Sequence, residues 1–311
     1  MDAAAIDQIH LNFNPQGLLI INAAVGLMML GVALEMKISD FKRIIVSPKA
    51  PAIGLIAQFI LLPAFTYLLV RVLNPAPSIA LGMMMVAACP GGNLSNIVTY
   101  LAKGNTAVSV SMTAVSTAVA IVMTPFNLAF WGGLNPDTAA ILKEVSLNPV
   151  DVFMTVFIIL GIPLAIGMTI GTKYPGLADK IRKPFKMFTL VFFIVIVIGA
   201  LAANWQNFLN YVGIVVFGVF VHNLLALNIG YWSAWAINLP VRDRRAISIE
   251  VGIQNSALGL VLIFTFFGGL GGMALVAAWW GIWHIIAGLS AAFLFSRRKL
   301  PQAELAIGNE Y

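Results

Sequence analysis

"CPGGNLSN", residues 89–96, interrupts an apolar run that is otherwise long enough to cross a bilayer. Proline and paired glycines are poor helix formers. Asn93, Ser95 and Asn96 then bring two amides and a hydroxyl to a depth without water. Unwound backbone at that depth is tolerated only where it is buried in protein or lines a wet cavity. The stretch therefore predicts a transmembrane helix broken for a purpose.

Composition supplies the setting. The chain has 311 residues, 60% hydrophobic and only 10% charged, against about 25% charged in a soluble domain. An all-α polytopic membrane protein follows, with the lipid bilayer as its main partner. The net charge of +6 sits in loops, so no nucleic-acid partner is expected. A single cysteine, Cys89, excludes an intrachain disulfide and a thiolate metal cluster. The opening "MDAAAIDQIH" has two acids and no basic region, unlike a cleaved signal peptide.

A spanning helix needs about 20 apolar residues. Nine transmembrane helices are predicted, at 17–34, 50–70, 79–101, 106–130, 152–172, 187–203, 211–237, 246–267 and 273–295. Charge clusters set some boundaries. The turn signals "NPAPS" (74–78), "ANWQN" (203–207) and "GGLGG" (268–272) set others. Residues 136–147 predict a short interfacial helix.

Sixteen of the 18 Lys and Arg residues fall in five alternate segments. They are the loop with Lys37, Lys42, Arg43 and Lys49, the turn at Lys103, the Lys173–Lys186 loop, the Arg242–Arg245 loop, and the tail from Arg297. Nine spans place all five on one side, which the excess of positive charge marks as the cytoplasm. The N-terminus is then outside and the C-terminus inside, in the cell's inner (plasma) membrane.

An odd count predicts two four-helix units of opposite orientation. The expected organisation is an external tail at 1–16, a first repeat at 17–135, a connecting segment with the fifth span at 136–172, a second repeat at 173–296 and a cytoplasmic tail at 297–311. The third helix of the second unit carries "EVGIQNSALG", residues 250–259, so both third helices are interrupted by glycine and an Asn/Ser pair. Asn255 falls about 14 Å into its span, near the midplane. Paired interruptions in matching helices mark the transport site of inverted-repeat transporters. A passive channel would not need them. Packing kinks alone would not need six polar residues, Asn93, Ser95, Asn96, Gln254, Asn255 and Ser256, at two matched breaks.

Each break frees carbonyls that suit cations and amide N–H groups that suit anions. Glu250 is the one acid well inside a span, and intramembrane carboxylates are costly unless functional. The alternative is a cytoplasmic surface position beside Arg244 and Arg245. Gln58 lies mid-span, where it could also serve as a helix–helix hydrogen bond. Ser109, Ser111, Thr113, Ser116 and Thr117 line the fourth span; hydroxyls there can instead bond back to their own helix. His284 is a candidate cavity residue or a buried neutral histidine, and His222 is isolated. An all-oxygen set selects hard cations, and one carboxylate suits one or two Na⁺, or a proton. An intramembrane hydrolase using Ser95, His284 or Glu250 is disfavoured, because neither GxSG nor HExxH occurs.

"CPGGNLSNIVTYLAKGNTAVSVSMTAVST" (89–117) and "ISIEVGIQNSALG" (247–259) resemble the bile acid:sodium symporter family. The resemblance extends from "ALEMKISDFKRI" and "IAQFILLP" to "WHIIAGLSAAF". It implies two inverted repeats, a panel domain, a core domain with two broken crossing helices, and sodium-coupled symport of an organic anion by alternating access. Bacterial members have ten spans, of which this chain would lack the first. The family's first sodium site falls on Ser95, Asn96, Ser109, Thr113 and Glu250. The second falls on Gln58, Glu250 and Gln254 with the carbonyls of Val251 and Ile253. Substrate positions fall on Asn93, Asn255 and His284. Ile285 follows His284 where relatives often have Asn, and Asn93 stands where many bacterial members have Thr. The family's substrates range over bile acids, steroid sulfates and small carboxylates. Two coupling Na⁺ ions, a monomer, and a transporter rather than an enzyme are expected. A proton-coupled or uncoupled organic-anion exporter is the nearest alternative.

Overall fold

In hydrocarbon every backbone N–H and C=O must find a partner within its own segment, so apolar runs of this length fold as helices. A computed structural model describes residues 6–7, 15–34, 36, 38–92, 94–145, 149–203 and 205–301. Thirteen helices occur among them. They are α1 (Pro15–Ala33), α2 (Ile38–Val46), α3 (Lys49–Leu73), α4 (Pro77–Ala88), α5 (Leu94–Leu101) and α6 (Thr106–Leu134). Then come α7 (Pro136–Glu144), α8 (149–173), α9 (Pro175–Ala203), α10 (Trp205–Ala236), α11 (Val241–Gly252), α12 (Ser256–Phe266) and α13 (Gly271–Arg297). The described residues form no strand; their one β-bridge joins Gly91 and Gln254.

Five described stretches are long and apolar enough to cross a membrane: Lys49–Leu73, Thr106–Leu134, Val150–Lys173, Gly213–Ala236 and Gly271–Arg297. The third and eighth predicted spans are each split, into α4 with α5 and α11 with α12, whose halves are too short to cross alone. The outer face carries exposed Phe126, Phe130, Phe217, Trp232 and Leu294. An apolar surface of that kind belongs against lipid.

Several boundaries move: Arg242–Arg245, expected as a loop, opens α11, α10 starts at Trp205 rather than at 211, and Ile38–Val46 of the first basic loop is helical as α2. The basic segment expected as a loop before residue 187 is helical from Pro175 onward, as the first part of α9. Proline is well placed at the first helical position, Ala, Leu, Lys and Arg are good helix formers, and Asp179 pairs with Arg182 at 2.9 Å one turn on. The expected short helix after α6 is present as α7.

The apolar core lies where α4, α12 and α13 meet, around Leu81, Met85, Leu262, Val276 and Trp280. α1 packs against α8 and α9, while α4 packs against α6 and α13 and α10 against α11. The α10–α11 contact depends on Gly230, where a Cβ would lie 2.6 Å from the Ile247 carbonyl oxygen. Close backbone approach at small residues is how helices associate without a hydrophobic drive.

Three of the basic segments meet at one end. Buried Arg245, in α11, donates to the carbonyls of Ala102 and Arg298, both at 2.9 Å. Lys103 Nζ donates to Ser296 O at 3.2 Å. A cation at a helix C-terminus satisfies free carbonyls and complements the helix dipole.

Candidate functional site

Both breaks follow from local sequence. After α4 the backbone of Cys89 is extended, with ψ 156°, because the following Pro90 disfavours the helical region. After α11, Ile253 is extended as well, with φ −108° and ψ 99°. The two unwound segments then pair antiparallel. Gly92 N donates to Ile253 O and Asn255 N donates to Pro90 O, each at 2.8 Å. Backbone groups that would be orphaned in lipid thus satisfy one another at the crossing.

Glu250 sits against this crossing and is fully buried, which removes the alternative of a surface carboxylate. Ser109 Oγ donates to its Oε2 at 2.9 Å and Thr113 Oγ1 lies 2.6 Å from its Oε1. Both hydroxyls also reach Asn96 Oδ1, at 2.9 and 3.3 Å. Ser95 Oγ is 3.5 Å from Thr113 Oγ1, and Thr99 Oγ1 donates to Ser109 Oγ at 3.3 Å. Ser109 and Thr113 share one helix face, as their i, i+4 spacing requires. Ser116 and Thr117 bond back to Thr113 O instead, at 3.2 and 2.7 Å.

Proton counting defines the chemistry. Ser95, Ser109 and Thr113 hold one hydroxyl proton each. Four acceptors compete for those three protons: both Glu250 oxygens, Asn96 Oδ1 and Ser109 O. Among the described residues Glu250 has no ion pair. The cluster is therefore rich in acceptors and short of positive charge. No three His, Cys, Asp or Glu side chains gather among the described residues, so the set does not suit a transition metal.

The second predicted set is adjacent. A π turn at Ala57–Leu61 brings Gln58 inward, and Asn127 Nδ2 donates to Phe59 O within that turn at 3.0 Å. Gln58 Nε2 donates to Cys89 O at 2.9 Å and to Gln254 Oε1 at 2.6 Å. Gln254 Nε2 donates to Val251 O at 2.6 Å. Gln58 Oε1 is buried with no partner.

Of the substrate positions, Asn255 caps α12, its Oδ1 accepting from Leu258 N at 3.1 Å. Its Nδ2 faces Met29 Sδ of α1 at 3.8 Å. His284 is buried with Nδ1 unpartnered, one turn from Gly288, and no hydrogen bond joins it to the cluster. A Cβ on Gly288 would lie 2.9 Å from the Ile253 side chain. Asn93 lies outside the described residues. His222 pairs with Thr66 at 2.7 Å and packs on Trp280, apart from the site.

Two contacts were not anticipated. Thr124 Oγ1 donates to Ala88 O, and Asn223 Nδ2 to Gly252 O, each at 2.7 Å. Both cap the carbonyl end of a broken helix. The only signal in the sequence is a polar residue inside an apolar span, which many structural residues share.

A buried, acceptor-rich oxygen cluster where two broken helices meet is the equipment of an ion-coupled secondary transporter. Residues 23–211 match the model of the sodium bile acid symporter family, and the chain belongs to that family. A Bacillus subtilis protein named "Uncharacterized sodium-dependent transporter YocS" is 30% identical over 282 residues, 90% of this chain and 84% of its own length. A rice protein named "Probable sodium/metabolite cotransporter BASS1, chloroplastic" is 33% identical over 78% of this chain. This chain's match spans 58% of that protein's length. The mouse "P3 protein" is 29% identical over 75% of this chain and 48% of its own. The protein is thus a sodium-dependent transporter of the membrane and not an enzyme.

Proposed function

We propose that the protein is a nine-span symporter that couples two Na⁺ ions to the uptake of one organic anion, bile acid-like or a small carboxylate. It acts as a monomer in the plasma membrane, with the N-terminus outside and the C-terminus in the cytoplasm. Two inverted repeats, 17–135 and 173–296, are joined by 136–172. α1, α8 and α9 form the panel; α3 to α6 and α10 to α13 form the core. Access alternates as one rocks against the other.

The observation that carries this is the acceptor-rich cluster on Glu250. Ser95, Asn96, Ser109, Thr113 and Glu250 hold the first ion. Gln58, Glu250, Gln254 and the carbonyls of Val251 and Ile253 hold the second. One carboxylate facing two monovalent ions leaves a net charge of about +1. That charge, with the N-termini of α5 and α12, favours an anion on the panel side of the crossing, near Asn93, Asn255 and His284. Linkage then requires Na⁺ to raise anion affinity and the anion to raise Na⁺ affinity by the same factor.

A thermal-shift screen of carboxylates and sterol conjugates, run in NaCl and in KCl, tests this. A ligand that stabilises the protein only with Na⁺ is expected. Equal stabilisation in both salts would refute sodium coupling and favour the proton-coupled or uncoupled alternative.

A further inference from the structure

The last turn of α11 presents three successive carbonyls, and a different element supplies the donor for each. Val251 O accepts from Gln254 of the break itself at 2.6 Å. Gly252 O accepts from Asn223 of α10 at 2.7 Å. Ile253 O accepts from the Gly92 amide of the other break at 2.8 Å. The outer two are the carbonyls assigned above to the second ion. The middle one is held from outside the site.

That hold matters because of where it falls. Gly252 has no Cβ and is the least restricted backbone position in the turn. Planarity joins its carbonyl to the Ile253 N–H, which donates to Ile249 O at 2.9 Å, so the two bonds together fix the one peptide that lies between the two assigned carbonyls. Asn223 can act as a fixed point. It is 1% exposed, and α10 is locked to α11 beside it. Ser248 Oγ donates to Leu227 O at 2.7 Å, and the Leu227 side chain fills the space over Gly252.

A second observation points the same way. Asn223 Oδ1 and Gln58 Oε1 are both buried without a partner, and the other amide atom of each bonds to one of the two breaks. Orphaned acceptors are costly in a buried site. Two of them beside the assigned carbonyls add to the local excess of oxygen that a cation would balance.

We infer that Asn223 is a positioning residue of the second cation site. It holds the Gly252 peptide so that the carbonyls of Val251 and Ile253 converge on one Na⁺. It works from α10, a helix that carries no ligand of either ion. Groups that orient the ligands of a metal ion without touching it change its affinity by about 10- to 100-fold. This role presupposes the Na⁺-binding function proposed above.

The test titrates Na⁺ against the thermal stability of the full chain in detergent, with K⁺ keeping ionic strength constant. Asn223→Leu keeps the side chain's shape and removes both amide atoms. Its Na⁺ midpoint should rise about 10-fold, and the steepness should fall toward that of a single ion. Should Asn223→Leu fail to fold, Asn223→Ser, which keeps a hydroxyl donor, should show a smaller rise. An unchanged midpoint and steepness overturn the role and leave the transporter function standing. Equal loss of stability with and without Na⁺ marks Asn223 as merely structural and overturns it too. A wild-type protein that responds equally to Na⁺ and K⁺ overturns the sodium function itself, and this role with it.

Discussion

Gly91 and Glu250 are in such close contact that a Cβ on Gly91 would lie 2.5 Å from the carboxylate Oε1. The glycine of one broken helix therefore admits the acid of the other. The contact brings the two interruptions together at a single charged point.

Gly91→Ala should displace that carboxylate. The backbone there is held by its β-bridge to Gln254, so the carboxylate rather than the main chain must shift. A stability loss of about 1–3 kcal/mol is expected, with a Na⁺ midpoint raised by about 10-fold. Denaturant unfolding with and without Na⁺ checks both. Native Na⁺ affinity in a folded Gly91→Ala protein would mean that the carboxylate does not need this position.

Thr113→Val keeps the shape of the side chain and deletes the hydroxyl 2.6 Å from Glu250 Oε1. One carboxylate oxygen then loses its donor, which costs about 1–3 kcal/mol without Na⁺. The Na⁺-induced rise in melting temperature should shrink, because a ligand is gone as well. Calorimetry that finds the two effects unlinked would place the ion elsewhere.

Asn255→Leu removes the cap of α12 and the amide that faces α1. Anion affinity should fall by about 10-fold, the scale of one hydrogen bond to a charged group, while Na⁺ stabilisation stays largely intact. Isothermal titration at saturating Na⁺ gives the answer. Unchanged anion affinity would move the substrate site away from the crossing.

Basic residues concentrated in alternate segments set the proposed orientation. A cysteine at Ala4, in a Cys89→Ser background, should react with an impermeant thiol reagent on intact cells, and one at Gly308 should not. The reverse pattern would eliminate the nine-span topology.

Much of this site is legible in the sequence because its chemistry conflicts with its surroundings. Pro90, Gly91 and Gly252 stand out among helix formers, and Glu250 and Gln58 stand out in lipid. Helical spacing puts Ser109 and Thr113 on one face, but Ser116 and Thr117 continue the same stripe, so spacing does not tell that these two bond back to Thr113 O. What stays hidden depends on backbone geometry. The register that sets Gly91 opposite Gln254 is made by main-chain bonds, which no side chain encodes. Asn223 and Thr124 cap carbonyls freed by breaks far away in sequence, and a lone polar residue in a span looks the same whether it caps or merely packs. The helical start at Pro175 is hidden because charge there reads as loop, although the same residues favour helix.

Sodium coupling stands or falls on Glu250, since both proposed ions share it. Glu250→Gln keeps the size and planarity of the side chain and removes the charge. Na⁺ titration of its thermal stability, at constant ionic strength with K⁺, should show no Na⁺-specific rise in melting temperature, although the protein remains folded in detergent. A folded Glu250→Gln protein with the wild-type Na⁺ response would contradict the account, because the cation would then be held by neutral oxygens alone.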